Sequence, residues 1–406
     1  MSIHIRSISA DEREAFLQTM AVPFVFDVTP ERTERFSNAF ELERLRAAYD
    51  GDQMVATFGA LSLQLSVPGA SLATAGATVV TVLPTHRRQG ILRSLMTEHL
   101  AEVHRAGEPL AALWASESSI YGRFGYGPSS ERAVMRLEKP FANMQQPIEI
   151  QSMMRLVDAD QAAAVFPRIF EMVASQRPGM FSRNEHWWKH RILSDPEFAR
   201  GESSAHRRVL YTRHGAPAGY VIYRTRGDLV ATGAIRVQLV ELIGVDAEAE
   251  RSLWQYLFGI DLSSAIDYSN QPVDDSLRWW LAEPRRMRRR IEDALWIRPV
   301  DVIACLNARR YSSADSIVFR MHDELCPWND GVYALESDLD GTAFCQRTES
   351  APQIELTPFA LGAAYLGGHR FRDLARAGVL TGTAQTLERA DAMFNWDPLP
   401  WCQEVF

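Results

Sequence analysis

A β-branched strand, a turn and an amphipathic helix occur twice in this chain, each time after a helix and a hairpin, and this repetition constrains the fold more than any other feature. In the first instance Thr78–Val82 reads as a strand. Arg87–Arg105 reads as a helix with Ile91, Leu92, Leu95, Leu100 and Val103 at helical spacing. Upstream, the amphipathic stretches Ser9–Met20 and Pro30–Leu45 predict two helices, and Asp50-Gly51 between apolar runs predicts a hairpin. Leu110–Trp114 follows as a further strand. In the second instance Gln161–Ala174 predicts the helix, His214-Gly215 the hairpin and Val237–Ile243 the strand. Leu253, Trp254, Tyr256 and Leu257 then mark the following helix. From about Val300 the text changes to short strands with Asp-Gly and Asn-Asp-Gly turns, then helical stretches at Pro358–Leu366 and Phe371–Ala377. The expected class is α/β (α+β): two mixed-sheet domains, 1–150 and 151–298, followed by an α+β domain, 299–406. A chain of 406 residues agrees, because single cores rarely grow beyond about 250 residues.

Charge narrows the function. A formal charge of −8 argues against non-specific nucleic-acid binding and favours cationic small molecules such as amines. The basic run Arg285–Arg290 on such a chain reads as a solvated or interface face. Cys305, Cys326, Cys345 and Cys402 have no Cys-x-x-Cys spacing, so reduced thiols and no metal site are expected. The first residues carry charges where a signal peptide needs an apolar core, and no run of about 18 apolar residues occurs. These features predict a cytoplasmic protein without a membrane partner.

The most informative segment is Thr78–Arg93. A strand runs into a turn holding Arg87, Arg88, Gln89 and Gly90, and then into a helix. Unpaired N–H groups and the positive dipole end at a helix start attract an anion, and Gly90 permits close approach of a phosphate to the backbone. Arginines at that end oppose the dipole and need an anion to justify them. Pyrophosphate is the natural guest. The matching turn of the second copy reads Val245–Leu253 and holds Asp246, Glu248 and Glu250, so repulsion excludes a diphosphate there.

These residues resemble the GNAT superfamily of N-acetyltransferases, whose Arg/Gln-x-x-Gly-x-Gly/Ala loop is matched by Arg87–Leu92. Leu92 replaces the final small residue, as one branch tolerates. That branch, the enhanced intracellular survival (Eis) acetyltransferases, also matches Pro84–Arg88, Ala115-Ser116-Glu117, Ile120–Pro128, Leu295–Arg298 and Tyr365–Arg370. The resemblance spans essentially the whole chain. It implies a catalytic GNAT domain, a degenerate GNAT-like domain and a domain resembling sterol carrier proteins. It further implies acetyl-coenzyme A as cofactor, no metal, and a homo-oligomer, a hexamer.

The resemblance also assigns roles. Cofactor binding falls to Val79, Val80 and Val82 through their backbone, and to Arg87, Arg88, Gln89, Gly90, Leu92 and Arg93. Tyr121 occupies the position of the general acid, and a phenol of pKa about 10 suits a thiolate of about 8.5. Tyr126 is read as packing. Phe406 matches the last residue of Eis enzymes, whose terminal carboxylate enters the active site. A carboxylate near pKa 3.5 is a poor base toward an ammonium near 10, so orientation and charge pairing are its expected work. Glu117 and Glu404 are candidates to pair with further ammonium groups, Trp114 and Phe36 to wall the acceptor site, and Asp27 to line it. His86 reads as structural or phosphate-facing. The expected acceptors are primary amines of aminoglycoside- or polyamine-like molecules, or lysine side chains. Two other readings stand beside this one: an apolar-ligand-binding protein using the C-terminal domain, and aminoacyl or peptidyl transfer, which the acidic balance disfavours.

Overall fold

The computed structural model describes residues 3–148, 153–227 and 233–406. The chain forms two compact units. The first comprises Met1–Ser130, Ala294–Pro400 and Glu404–Phe406, and the second Glu131–Asp293 and Trp401–Gln403. The expected boundary at residue 150 lies outside the described residues.

In the first unit β1 (Ile3–Ser7), β2 (Leu45–Asp50), β3 (Gln53–Val67) and β4 (Ala70–Val82) form an antiparallel run. Asp50-Gly51 turns the β2–β3 hairpin, with Gly51 at φ +59°. Helices α1 (Arg13–Phe24) and α2 (Pro30–Ala39) cover one face through Phe16, Leu17, Met20 and Phe36. Thr29 caps α2 and Pro30 sits at its first position, so the start matches expectation; the helix ends at Ala39 and Leu45 already belongs to β2. Helix α3 (Ile91–Arg105) packs Leu95, Met96, Leu100 and Val103 against the other face. It begins four residues later than the periodicity suggested, because Arg88 and Gly90 take positive φ and break the helical path. β5 (Leu110–Trp114) runs parallel to β4, and a short β6 (Gly127–Pro128) follows the one-turn helix α4 (Ser118–Tyr121).

The second unit holds a sheet in the order β13-β7-β12-β11-β10-β9-β8. Its strands are β7 (Glu131–Glu138), β8 (Met153–Val157), β9 (Arg207–Arg213), β10 (Ala216–Arg226), β11 (Ile235–Gly244), β12 (Ser263–Gln271) and β13 (Arg288–Asp293). β11, the helix α6 (Ala247–Phe258, after α5 at Ala159–Ala174) and the parallel β12 repeat the β4–α3–β5 arrangement. β13 carries the last three residues of the basic run, Arg288–Arg290, and forms one edge of the sheet.

The chain then returns to the first unit. β14 (Leu295–Pro299) inserts between β5 and β6, pairing Leu295 to Pro299 with Trp114 to Leu110. The family word Leu295–Arg298 is therefore a strand of the first sheet. A five-stranded sheet and helices at Val302–Ala308, Pro358–Ala364, Phe371–Arg376 and Ala384–Phe394 complete this unit. The four cysteines are buried and none is in a disulfide. No helix among the described residues is long and apolar enough to cross a membrane.

Candidate active site

β4 and β5 pair only from Thr74 to Gly76 against Leu110 to Ala112, after which they diverge. The cause is a bulge. The register of β4 on β3 slips between Thr57 and Gly59, and Val79 adopts φ +48°, a conformation that costs a β-branched residue about 1–3 kcal/mol. Thr57 offsets that cost: its hydroxyl donates to the Val79 carbonyl at 2.7 Å and accepts from the Thr81 hydroxyl at 2.7 Å. Neither threonine carries a sequence signal, since their pairing depends on strand register. Leu83 donates to Val55 of β3 at 2.9 Å, so strand alternation turns the amides of Val80 and Val82 toward the opening.

The split leads to the cationic turn. Arg87, Arg88, Gln89, Gly90 and Arg93 are exposed, while Leu92 is half-buried and packs against the core. Gly90 at φ +82° is the residue before α3 and gives it no side-chain cap. A Cβ there would meet nothing within 4 Å, so the space beside the backbone is open, and glycine is required by conformation alone. Exposed guanidinium groups, uncapped helix N–H groups and open space fit a diphosphate. His86 braces the turn, with Nε2 3.6 Å from Asp50 and Nδ1 2.8 Å from the Thr85 hydroxyl. That partner was invisible in sequence because the β2–β3 hairpin supplies it.

The second copy closes the same position from within. Asp246 caps α6 by accepting from the Ala249 amide at 2.9 Å and receives two bonds from Arg213, at 3.1 and 2.6 Å. The anion that the helix start attracts is its own side chain.

Tyr121 ends α4 and is 7% exposed. Burial raises its pKa, opposed by a hydrogen bond with Ser116 and reinforced by Glu117. Tyr126 lies edge-on at 6.3 Å between ring centroids but is completely enclosed, as a packing residue should be. The glycines around these tyrosines have a packing reason. A Cβ on Gly127 would fall 2.0 Å from the Phe359 carbonyl oxygen, and one on Gly125 would fall 2.7 Å from Nε of Arg298. Arg298 is fully buried, pairs with Asp323 at 2.7 and 2.8 Å and donates to the Phe124 carbonyl at 3.0 Å, which fixes the loop carrying Tyr121.

The chain end reaches the split. A Cβ on Gly76, where β4 and β5 part, would lie 3.0 Å from Cε2 of Phe406. Glu404 is 3% exposed, whereas Glu117 is exposed at the start of α4 and Trp114 half-buried at the end of β5. Phe36 belongs to the α1–α2 core, 5.5 Å from Phe16 and 4.7 Å from Phe40 between ring centroids. Asp27 is exposed between α1 and α2.

Comparison with known proteins agrees with this geometry. Residues 4–129 match an acetyltransferase (GNAT) domain family, residues 179–298 a second acetyltransferase (GNAT) domain family, and residues 302–403 the sterol carrier protein domain. The chain is 34% identical over 412 residues to an uncharacterized N-acetyltransferase of Streptomyces avermitilis, with 100% of both chains covered. It is 32% identical to the N-acetyltransferase Eis of Mycobacterium tuberculosis, with 98% of both covered. The crystal structure of Eis1 from Mycobacterium abscessus superposes with a TM-score of 0.86 at 29% identity, over 99% of this chain and 100% of that one. A GCN5-related N-acetyltransferase from Anabaena variabilis shares the fold, with a TM-score of 0.88 at 18% identity and 100% of both chains covered. Divergent strands, a cationic turn and full-length relatives converge: the chain belongs to the Eis family of N-acetyltransferases and is an enzyme of two GNAT domains and a C-terminal sterol-carrier-type domain.

Proposed function

We propose that this enzyme moves an acetyl group from acetyl-coenzyme A to a primary amine of an aminoglycoside- or polyamine-like molecule, or to a lysine side chain, by direct attack in the first domain. The observation that carries the reading is the split of β4 from β5, opened by the Val79 bulge and ending at an uncapped, arginine-bearing turn. The turn at Arg87–Gly90 grips the diphosphate. Val80 and Val82 offer amides to the pantetheine arm, and one such donor lies where the thioester oxygen gains charge.

The neutral amine attacks the thioester carbon; the C–N bond forms and the C–S bond breaks. Tyr121 gives its proton to the departing thiolate. Burial keeps that phenol neutral across the physiological range, as a donor must be. The Phe406 carboxylate orients the acceptor by pairing with its ammonium groups, and takes up the proton released by the attacking amine directly or through water. Glu117 and Glu404 are assigned to further ammonium groups, and Trp114 and Asp27 to the acceptor side of the site, whereas Phe36 serves the α1–α2 core. The acidic net charge of −8 supports a cationic acceptor.

Thiol release with a panel of amines tests the reading. Tyr121→Phe should lower kcat by roughly 10²- to 10⁴-fold, the usual worth of a general acid, with acetyl-coenzyme A affinity retained. Two glycines added after Phe406 should suppress turnover at an unchanged melting temperature. Full turnover in the first variant removes Tyr121 from the mechanism, and in the second removes the carboxylate.

A further inference from the structure

The second GNAT domain contains the same strand split as the first, and something fills it. β11 and β12 pair in parallel from Ile235–Ser263 to Leu239–Tyr268 and then part, leaving Val240–Gly244 without a β12 partner. Trp401, Cys402 and Gln403 of the extended chain end belong to this unit. Trp401 is 3% exposed and Cys402 fully buried. The Trp401 ring packs in the core cluster that holds Val240 and Ile243.

The contacts are directional rather than merely apolar. Nδ2 of Asn270, on β12, donates to the carbonyls of Cys402 and Gln403 at 3.0 and 3.2 Å. Nε2 of Gln403 donates to the Val240 carbonyl on β11 at 3.2 Å. Indole Nε1 of Trp401 donates to the Asn270 carbonyl at 3.1 Å, and the Trp401 amide to that of Pro178 at 2.9 Å. Gly179 admits the tail, since a Cβ there would fall 2.9–3.1 Å from the Trp401 backbone. The space left beside Trp401 is about 20 Å³, room for a single water.

An acyl donor's pantetheine arm is a chain of amides laid between two parting strands. The tail offers the same functional groups to the same kind of place. We propose that the second domain has exchanged its donor for the chain's own end, and that Asn270, Gln403 and Trp401 are positioning residues that set the terminal carboxylate three residues further on. An unanchored tail would leave that carboxylate to sample many positions, and the cost falls on turnover rather than on donor binding. This inference rests on the carboxylate role proposed for Phe406.

The experiment compares the full-length protein with Asn270→Ala, which removes both donors to the tail. Hydrogen exchange of residues 399–406, kcat and acetyl-coenzyme A affinity are measured together. The expected result is at least tenfold faster exchange in the tail and a tenfold or greater loss of kcat, with donor affinity within twofold of the parent. Unchanged tail exchange overturns the dock. Faster exchange with full kcat, in an enzyme that the glycine extension inactivates, overturns the positioning role. If the glycine-extended enzyme is itself fully active, the carboxylate reading has failed and tail exchange alone decides the dock. Trp401→Phe keeps the fill but deletes the Nε1 donor, and it supplies the same readouts should Asn270→Ala fail to fold.

Discussion

Arg88 and Glu250 show at the residue scale how the two copies of a strand–turn–helix acquire opposite charge around the helix start. Arg88, at φ +63°, belongs to an exposed turn that leaves the next helix uncapped. Glu250 lies in the first turn of α6, and burial pushes its carboxyl up to about 7, helped by Asp275. The folded state keeps a proton between about pH 4.5 and 7 that the unfolded chain has released, so this group's contribution falls as pH rises through that window. Glu250→Gln should therefore stabilise the protein by about 1–2 kcal/mol at pH 8, discounted for partial exposure, and by almost nothing at pH 4. Denaturant melts at the two pH values check this, and an equal gain at both would refute the titration. The contrast between the turns was legible in sequence because charge and glycine are local properties. The Thr57–Thr81 pair that braces Val79 was not, because it is made by register across β3 and β4.

Among elements, β14 decides how the loop carrying Tyr121 is held. It brings Arg298 into the first sheet, where the guanidinium is enclosed by Asp323, the Phe124 carbonyl and its own neighbour's carbonyl. Removing one partner of a buried pair leaves a charge without water, which costs about 3–5 kcal/mol. Asp323→Ala is thus expected to lower stability by that amount, read by urea midpoint. A loss below about 1 kcal/mol would mean that water reaches the guanidinium. Local patterning found the strand Leu110–Trp114 and both hairpins. It could not find that Leu295–Pro299 separates β5 from β6, since a sheet edge accepts any strand of suitable pattern and the choice is made by the whole chain.

For the molecule as a whole, the proposed reading of the duplication is one donor site and one dock. Titration calorimetry with coenzyme A should give one equivalent per chain, and two equivalents would contradict both the closed turn at Asp246 and the filled split at Trp401. Sequence predicted the loss of the second site from its carboxylates alone. The physical filling of that split by the chain end needed the tertiary structure.

Periodicity, turn chemistry and charge, each acting over a few residues, were enough to specify the repeated α/β units and the cationic turn, while the family came from the resemblance of the motifs around them. Pairings between distant segments were decided in three dimensions: the register slip at Val79, β14 within the first sheet, Arg298 beneath the tyrosine loop, and Trp401 between β11 and β12. Contacts of that kind are chosen by competition among all the surfaces a folding chain can bury, and no short window of residues contains that competition.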